Sequence, residues 1–469
     1  MASFAVGKNA AAGECFQFDG PRELVNAERA LELLSGVSGE GFKSLNLSDK
    51  SYDEGAAKLI GDALHARCAL VTVANISDII AGRQEDEAQL AMKAICDGLA
   101  DSVLEVVHCD DNAMGPHGVR ACAGVIAQKS LKYLSLMNDG LSAASAEQLT
   151  VLLLGTAEDA KEAWARGISA GHAVGAVRGV EEDAANCPPL RTLHFHNNMT
   201  GEDGAASVAR LVAACSQLRD FRFSTTRSQR AGCLHVAKAL QSLAQNDFTA
   251  LDLSDNSFGG ECSAPLNAFL SRQRELQHLV LRDSGLNQDG MQALVKTLQA
   301  AGPPLQTLDL SGNDAEAEDG HLLAAAVRSV ASTLRSFQVD DNCLESEGMA
   351  PVAVALRECK ELRVVHANNC ELSAAGAYRL ARTLCRLPHF ERLEMDGNML
   401  CARGVHAIEA LFLKAGKTLA EMEENDDEGD DDLDEALEDD EETAEAEAEA
   451  EGEGDAIAAL EEALEKTQL

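Results

Sequence analysis

The sequence predicts an α/β solenoid of about twelve stacked strand–loop–helix units. Three observations carry that prediction. An apolar spacing (first, fourth and sixth positions) starts at Phe42, Val71, Leu104, Leu131, Leu190, Leu218, Phe248, Leu276, Leu305, Leu334, Leu362 and Phe390, mostly 28–29 residues apart, with one gap of 59. The ninth position is often Asn, as in Leu251-Asp252-Leu253-Ser254-Asp255-Asn256 and Leu308-Asp309-Leu310-Ser311-Gly312-Asn313. Six residues later many units have a glycine (Gly118, Gly204, Gly232, Gly290, Gly348, Gly376, Gly404), then apolar residues at helical spacing such as Val208, Leu211 and Val212. This length and pattern belong to the leucine-rich repeat class, and the expected architecture is a leucine-rich repeat horseshoe with strands inside and helices outside.

Each part of a unit follows from its residues. The fourth and sixth positions alternate as a strand does and point into the core. The ninth-position Asn can bond free backbone groups where the chain leaves the strand. The later glycine permits close backbone approach. Acids and hydroxyls before it, such as Glu202-Asp203 and Ser346-Glu347, suit a helix N-terminus. No unit buries its apolar face alone, but a stack of them does.

Four segments fall outside the pattern. Residues 1–20 are expected to be a flexible start, followed by a short capping helix over Arg22–Leu34 within a repeat domain of 21–418. The long gap holds one normal unit plus an insertion at about 155–187, rich in Ala and Gly and containing Trp164, the sole tryptophan. An acidic tail over 419–454 is expected to stay disordered, because it cannot bury enough apolar area. Residues 455–469 could form a short helix, with Ile457, Leu460 and Leu464 on one side.

Charge and cysteine content narrow the function. Of a formal net charge of −39, the segment from Glu421 to Leu469 carries −24. Binding to nucleic acid or to an anionic membrane needs a positive patch, so neither is expected. No stretch approaches the roughly 18 apolar residues of a membrane helix, and Met1–Gly13 lacks a signal peptide's apolar run. The 14 cysteines contain no CxxC pair. They read as reduced, buried thiols; a redox sensor or a zinc site is the functional alternative. Gly416-Lys417-Thr418 lacks the glycine a phosphate loop requires, since Leu411 stands there. His194 and His196 share a strand face without an evident third ligand, so no metal site is expected. Nor does a nucleophile elbow, HExxH or dinucleotide fingerprint appear.

Departures from the repeat mark candidate function. In the second unit Ile79 replaces the ninth-position Asn, and a longer loop carries Gly82-Arg83 followed by Glu85-Asp86-Glu87. Arg83 is either a contact to a phosphate or carboxylate, or a solvated arginine paired with those acids. In the fourth unit Asp139 takes the ninth position, so Asn138 faces outward at the eighth; Asn197 likewise precedes Asn198. The eighth position is acidic at Asp49, Asp78, Asp111, Asp255, Asp283 and Asp341, a carboxylate ridge suited to a basic partner.

At these residues the sequence resembles the Ran GTPase-activating protein family in its plant and algal form. The strings are Ser77-Asp78-Ile79-Ile80-Ala81-Gly82-Arg83, Leu136-Met137-Asn138-Asp139-Gly140, Phe195-His196-Asn197-Asn198-Met199-Thr200-Gly201-Glu202-Asp203-Gly204-Ala205, and Asp220-Phe221-Arg222 with Ser224-Thr225-Thr226-Arg227. The resemblance implies a GTPase activator without an independent active site, acting in nucleocytoplasmic transport. Its partner would be Ran in the GTP-bound form, with a Ran-binding protein as an optional further component. The chain would need no cofactor of its own, because GTP and magnesium are held by Ran. Spacing alone could make Arg83 an arginine finger. The resemblance implies instead that Asn138 is the catalytic residue and holds Ran's switch residues and glutamine in productive geometry. Arg83, Asp78, Asp111, Asp139, Asn197, Asp255 and Asp283 then become partner-binding candidates. The plant family's N-terminal envelope-targeting domain and the animal family's C-terminal domain have no counterpart in the pattern. A monomeric cytoplasmic protein is expected, with the nuclear periphery as the alternative location. The competing function is a non-catalytic interaction scaffold like the ribonuclease inhibitors, which share this repeat length.

Overall fold

A computed structural model describes residues 14–155, 180–425, 432–434 and 436–437. Trp164, most of the expected insertion, the alternating Ala-Glu run and the helix expected over 455–469 lie outside the described residues. The chain divides after Leu305 into two compact units. No helix among the described residues is long and apolar enough to cross a membrane.

The first unit is built on a parallel sheet of β1 (Cys15–Gln17), β3 (Ser44–Asn46), β5 (Val73–Asn75), β6 (Val106–His108), β7 (Tyr133–Ser135), β8 (Thr192–His196), β9 (Asp220–Ser224), β10 (Ala250–Asp252) and β11 (His278–Val280), each hydrogen-bonded to the next. A separate parallel pair joins β2 (Glu23–Val25) to β4 (Lys50–Tyr52). The second unit runs through β12 (Thr307–Asp309), β13 (Ser336–Gln338), β14 (Val364–His366), β15 (Arg392–Glu394) and β16 (Thr418–Leu419) in the same parallel fashion. Helices alternate with the strands, as in Glu54–Arg67, Gly201–Ala214 and Ala374–Cys385. This is the leucine-rich repeat fold.

The register stacks equivalent positions. Leu134 pairs with Leu193, and Leu193 with Phe221, and all three are fully buried. Each such side chain contributes about 1.5–3 kcal/mol on burial. The ninth-position asparagines form a buried ladder. The Asn198 side-chain oxygen accepts from the backbone N–H groups of Asp139 (3.3 Å) and Leu141 (3.0 Å), while its nitrogen donates to the carbonyls of Leu136 (2.8 Å) and His196 (3.2 Å). The later glycines do provide close approach: a Cβ on Gly348 would stand 2.8 Å from the Ala317 backbone. Polar caps begin several helices, such as Asp53, which accepts from Ala56 N–H at 2.7 Å.

Both ends depart from expectation. Each compact unit has one strand that the repeat pattern does not mark. β1 pairs with β3 and buries Phe16 within the segment expected to be flexible. Residues 22–34 hold β2 and the start of helix Ala27–Gly36 rather than one helix. At the other end β16 pairs with β15, and Asn425 continues the ladder by accepting from Asn398 N–H at 2.9 Å. Part of the acidic segment packs as well. Leu433 and Ala436 are 1% and 0% exposed, and Asp432 accepts from the Ser373 hydroxyl (2.6 Å) and the Ala375 N–H (2.8 Å) at a helix N-terminus. A few apolar residues and one capping carboxylate give this acidic stretch a seat that its composition conceals.

Candidate functional site

The rim of the repeats is set by one backbone feature. The eighth-position residues Asp49, Asp78, Asp111, Asn138, Asn197, Thr225, Asp255 and Asp283 all have φ between 47° and 61°. Asp and Asn are the non-glycine residues that tolerate this left-handed conformation most readily. The carboxylate ridge therefore has a local conformational cause. Its charge is an added property that a basic partner can use.

Asn138 stands exposed at the centre of a short amide chain. Its side-chain nitrogen donates to Asp111 Oδ1 at 2.9 Å, and its oxygen accepts from the Asn197 side-chain nitrogen at 2.9 Å. Each neighbour uses one donor or acceptor site, which leaves one N–H and one lone pair for a ligand. Two struts fix the preceding strand end. Asp110 Oδ1 accepts from the Ser135 hydroxyl (2.6 Å) and the Met137 N–H (2.8 Å), and Asn138 N–H donates to the His196 carbonyl (2.8 Å). Beside this rim, His108, Tyr133 and His194 form an aromatic row with centroids 4.7 and 5.5 Å apart. Asp220 holds His194 at 3.0 Å, and Ser224 holds His196 at 2.8 Å. Burial lowers the His108 pKa and pushes the Tyr133 phenol up to about 12.

The structure separates the other candidates. Asp111 and Asn197 flank Asn138, as described. Asp255 and Asp283 lie exposed along the same rim, and Asp283 meets Arg282 at 3.2 Å. Three candidates already have partners within the chain. Asp78 is bound internally by Arg22 at 2.8 Å, and its carboxyl is raised in pKa by burial first, against the lowering by Arg22. Arg83 turns inward and is only 14% exposed. It donates to the Ser51 hydroxyl (3.0 Å), the Ser51 carbonyl (2.7 Å) and the Val25 carbonyl (3.4 Å), so it braces its loop from inside rather than standing solvated. Glu87 is a looser partner at 3.7 Å.

Asp139 is fully buried and belongs to the ladder. Its Oδ1 accepts from Asn112 N–H at 2.9 Å, but its Oδ2 has no partner. In neighbouring units the equivalent atom is an amide nitrogen that donates to two carbonyls. A protonated carboxyl can donate in the same way; a carboxylate cannot. Burial is the main cause that raises the Asp139 pKa well above the usual carboxylate range; the Asn112 N–H opposes it, and Asp110 and Asp111 add to it.

The rim also holds a left-handed turn that the repeat pattern does not mark. Thr225 is β-branched yet has φ 54°, and Arg227 and Gln229 follow at 56° and 47°. Left-handed backbone costs non-glycine residues roughly 1–2 kcal/mol each, and such strain concentrates at functional loops. A threonine where other units have Asp or Asn is the signal that could have drawn attention to it. Arg227 is exposed at this turn, next along the rim from Asn197.

Fold and rim together define a long-repeat leucine-rich repeat protein with an amide-bearing edge. No family model matches the chain. It is 31% identical over 144 residues to RAN GTPase-activating protein 2 of Arabidopsis thaliana, covering 30% of this chain and 26% of that protein. It is 32% identical over 121 residues to RAN GTPase-activating protein 1 of the same organism, covering 25% and 23%. The matches thus span about a quarter of those relatives. The ribonuclease inhibitor of Sus scrofa is 24% identical over 428 residues, 86% of each chain.

Proposed function

We propose that this chain is a GTPase-activating protein for Ran that works by positioning. The observation that carries the reading is the exposed Asn138 amide, oriented between Asp111 and Asn197 with hydrogen-bonding capacity left for a ligand. The likeness to two proteins named as Ran GTPase activators supplies the partner. In the proposed complex, GTP-bound Ran brings the nucleotide, the magnesium and the water-orienting glutamine. Asn138 would hold Ran's reacting groups in place, and a pre-oriented amide does so without reorganising at the moment of reaction. Arg83 would act from inside, by keeping its loop in shape. Asn197, Thr225 and Arg227 would extend the contact along the rim, while Asp111, Asp255 and Asp283 draw basic surface toward it. The chain would contribute no active site or cofactor of its own. It would act as a monomer in the cytoplasm, in nucleocytoplasmic transport.

The test is single-turnover phosphate release from GTP-loaded Ran. Asn138→Gly is the appropriate variant, since it deletes the amide while keeping the left-handed backbone unstrained. A rate lowered on the order of 10²–10³-fold, with the fold intact, is expected; an unchanged rate removes the mechanism. A second reading, an interaction scaffold, is favoured by the 86% coverage of the ribonuclease inhibitor match and by a rim composition that backbone conformation already explains. It predicts tight partner binding with no effect on any GTPase rate.

A further inference from the structure

We propose that Cys187 and Cys215 form a reversible dithiol–disulfide site, entered by thiol exchange with a small disulfide such as oxidised glutathione. The two sulfurs stand 3.2 Å apart in the structure. Both residues occupy the position three before the first apolar residue of their units (Leu190 and Leu218), so the repeat itself brings them together. Three other units hold a glutamine at this position, and each bonds to the preceding repeat: Gln128 donates to the Leu99 carbonyl at 3.1 Å, Gln245 to the Cys215 carbonyl at 3.0 Å and Gln273 to the Gln245 carbonyl at 3.3 Å. At Cys187 and Cys215 two thiols take the place of such a brace.

The pair is asymmetric in a way that suits exchange. Cys187 is partly exposed, whereas Cys215 is buried, and the Cys187 contact together with burial raises the Cys215 pKa well above the usual thiol range. Near the pair, Lys129 donates to the Leu153 carbonyl at 2.6 Å; burial lowers its pKa, and the charge of a Cys187 thiolate would oppose that lowering. The segment is already held from its other side. Arg210 grips the buried Asp183 through two bonds of 2.7 and 2.8 Å, which ties helix Val180–Asn186 to helix Gly201–Ala214.

The chemistry balances. The Cys187 thiolate attacks one sulfur of glutathione disulfide, giving a mixed disulfide and one glutathione thiolate. The Cys215 thiol loses its proton to solvent and attacks the Cys187 sulfur. The Cys187–Cys215 bond forms, and the second glutathione thiolate leaves. Two protein thiols are oxidised while one small disulfide is reduced to two thiols. The inference is independent of the GTPase reading.

Peptide mapping after equilibration in graded glutathione buffers tests it. Trypsin places each cysteine alone in its peptide, residues 179–191 and 211–219. The expected result is a linked pair of these peptides, about 2 Da lighter than the sum of the two, that disappears on reduction. Cys215→Ser should trap glutathione on Cys187, and Cys187→Ser should leave Cys215 unmodified. A wild-type protein that ends as the Cys187–glutathione adduct, or that stays fully reduced in the most oxidising buffer, would overturn the proposal. So would glutathione reaching Cys215 equally fast in Cys187→Ser.

Discussion

Asn138 in the first unit and Asn369 in the second occupy the same place in their repeats, yet their surroundings differ. Both are exposed and left-handed, at φ 56° and 52°. Both donate to an aspartate of the preceding repeat, Asp111 at 2.9 Å and Asp341 at 2.8 Å. A second aspartate braces each approach, Asp110 to Met137 N–H and Asp340 to Asn368 N–H, both at 2.8 Å. The next repeat separates them. Asn138 is met by the Asn197 amide, whereas Asn369 is met by Gly397, where a Cβ would stand 1.9 Å from the Asn369 oxygen. The ladder residue that follows also differs, a carboxyl at Asp139 and a thiol at Cys370. The thiol contacts the carbonyls of Val339 (3.2 Å) and Asn368 (3.4 Å), so the second rim keeps a ladder donor. Repeat geometry alone thus produces an Asn–Asp rim pair. The continuous amide chain and the unsatisfied buried acid are particular to the first.

The largest expected difference between the two rims is in GTP hydrolysis on Ran. Asn138→Gly should lower single-turnover hydrolysis on the order of 10²–10³-fold, and Asn369→Gly should leave it unchanged. Equal losses in the two variants would erase the distinction between the rims. The next largest effect concerns the ladder. Asp139→Asn supplies the missing donor and should raise stability by about 1–3 kcal/mol at neutral pH, read as a higher denaturation midpoint. The sign with pH is specific. The native state favours the neutral acid, so the Asp139 contribution is complete below about pH 4, the unfolded value. It is lost as pH rises toward the raised native value. The advantage of Asp139→Asn over wild type should accordingly widen from pH 5 to pH 8. A constant gap would show that protonation is not its origin.

Arg83→Lys tests whether the first unit depends on an inward strut. The fork to Ser51 cannot be reproduced by an ammonium group, so thermal stability should fall by about 1–2 kcal/mol. A loss of Ran binding at unchanged stability would instead mark Arg83 as a direct contact. The smallest effect falls beside the second rim. Asp432→Ala removes a capping carboxylate from helix Ala374–Cys385 and should cost about 1 kcal/mol. That loss would be measured by denaturation, and hydrolysis on Ran should not change.

Much of the fold is legible in the sequence. Apolar spacing located the strands between Phe42 and Phe390 because each repeat must bury the same two positions. The asparagine ladder followed from the need to bond backbone at the strand exit. The terminal strands β1 and β16 escaped, since a single flanking strand offers no periodicity of its own and takes its register from a neighbour. Among the site candidates, Asn138 and Asn197 were legible as exposed because their ladder partners are explicit in the pattern. Arg83 was not, because spacing places it on an extended loop while its partners come from earlier in the chain, Ser51 from the first repeat and Val25 from the strand before it.

The repeat, its length and its apolar faces can be read from the residues, because they are properties of periodic burial. Which polar groups are available is fixed by packing between repeats. The direction of the Arg83 fork, the orphaned oxygen of Asp139 and the contact of Cys187 with Cys215 depend on distances between repeats, where a few ångströms separate a bonded group from a free one.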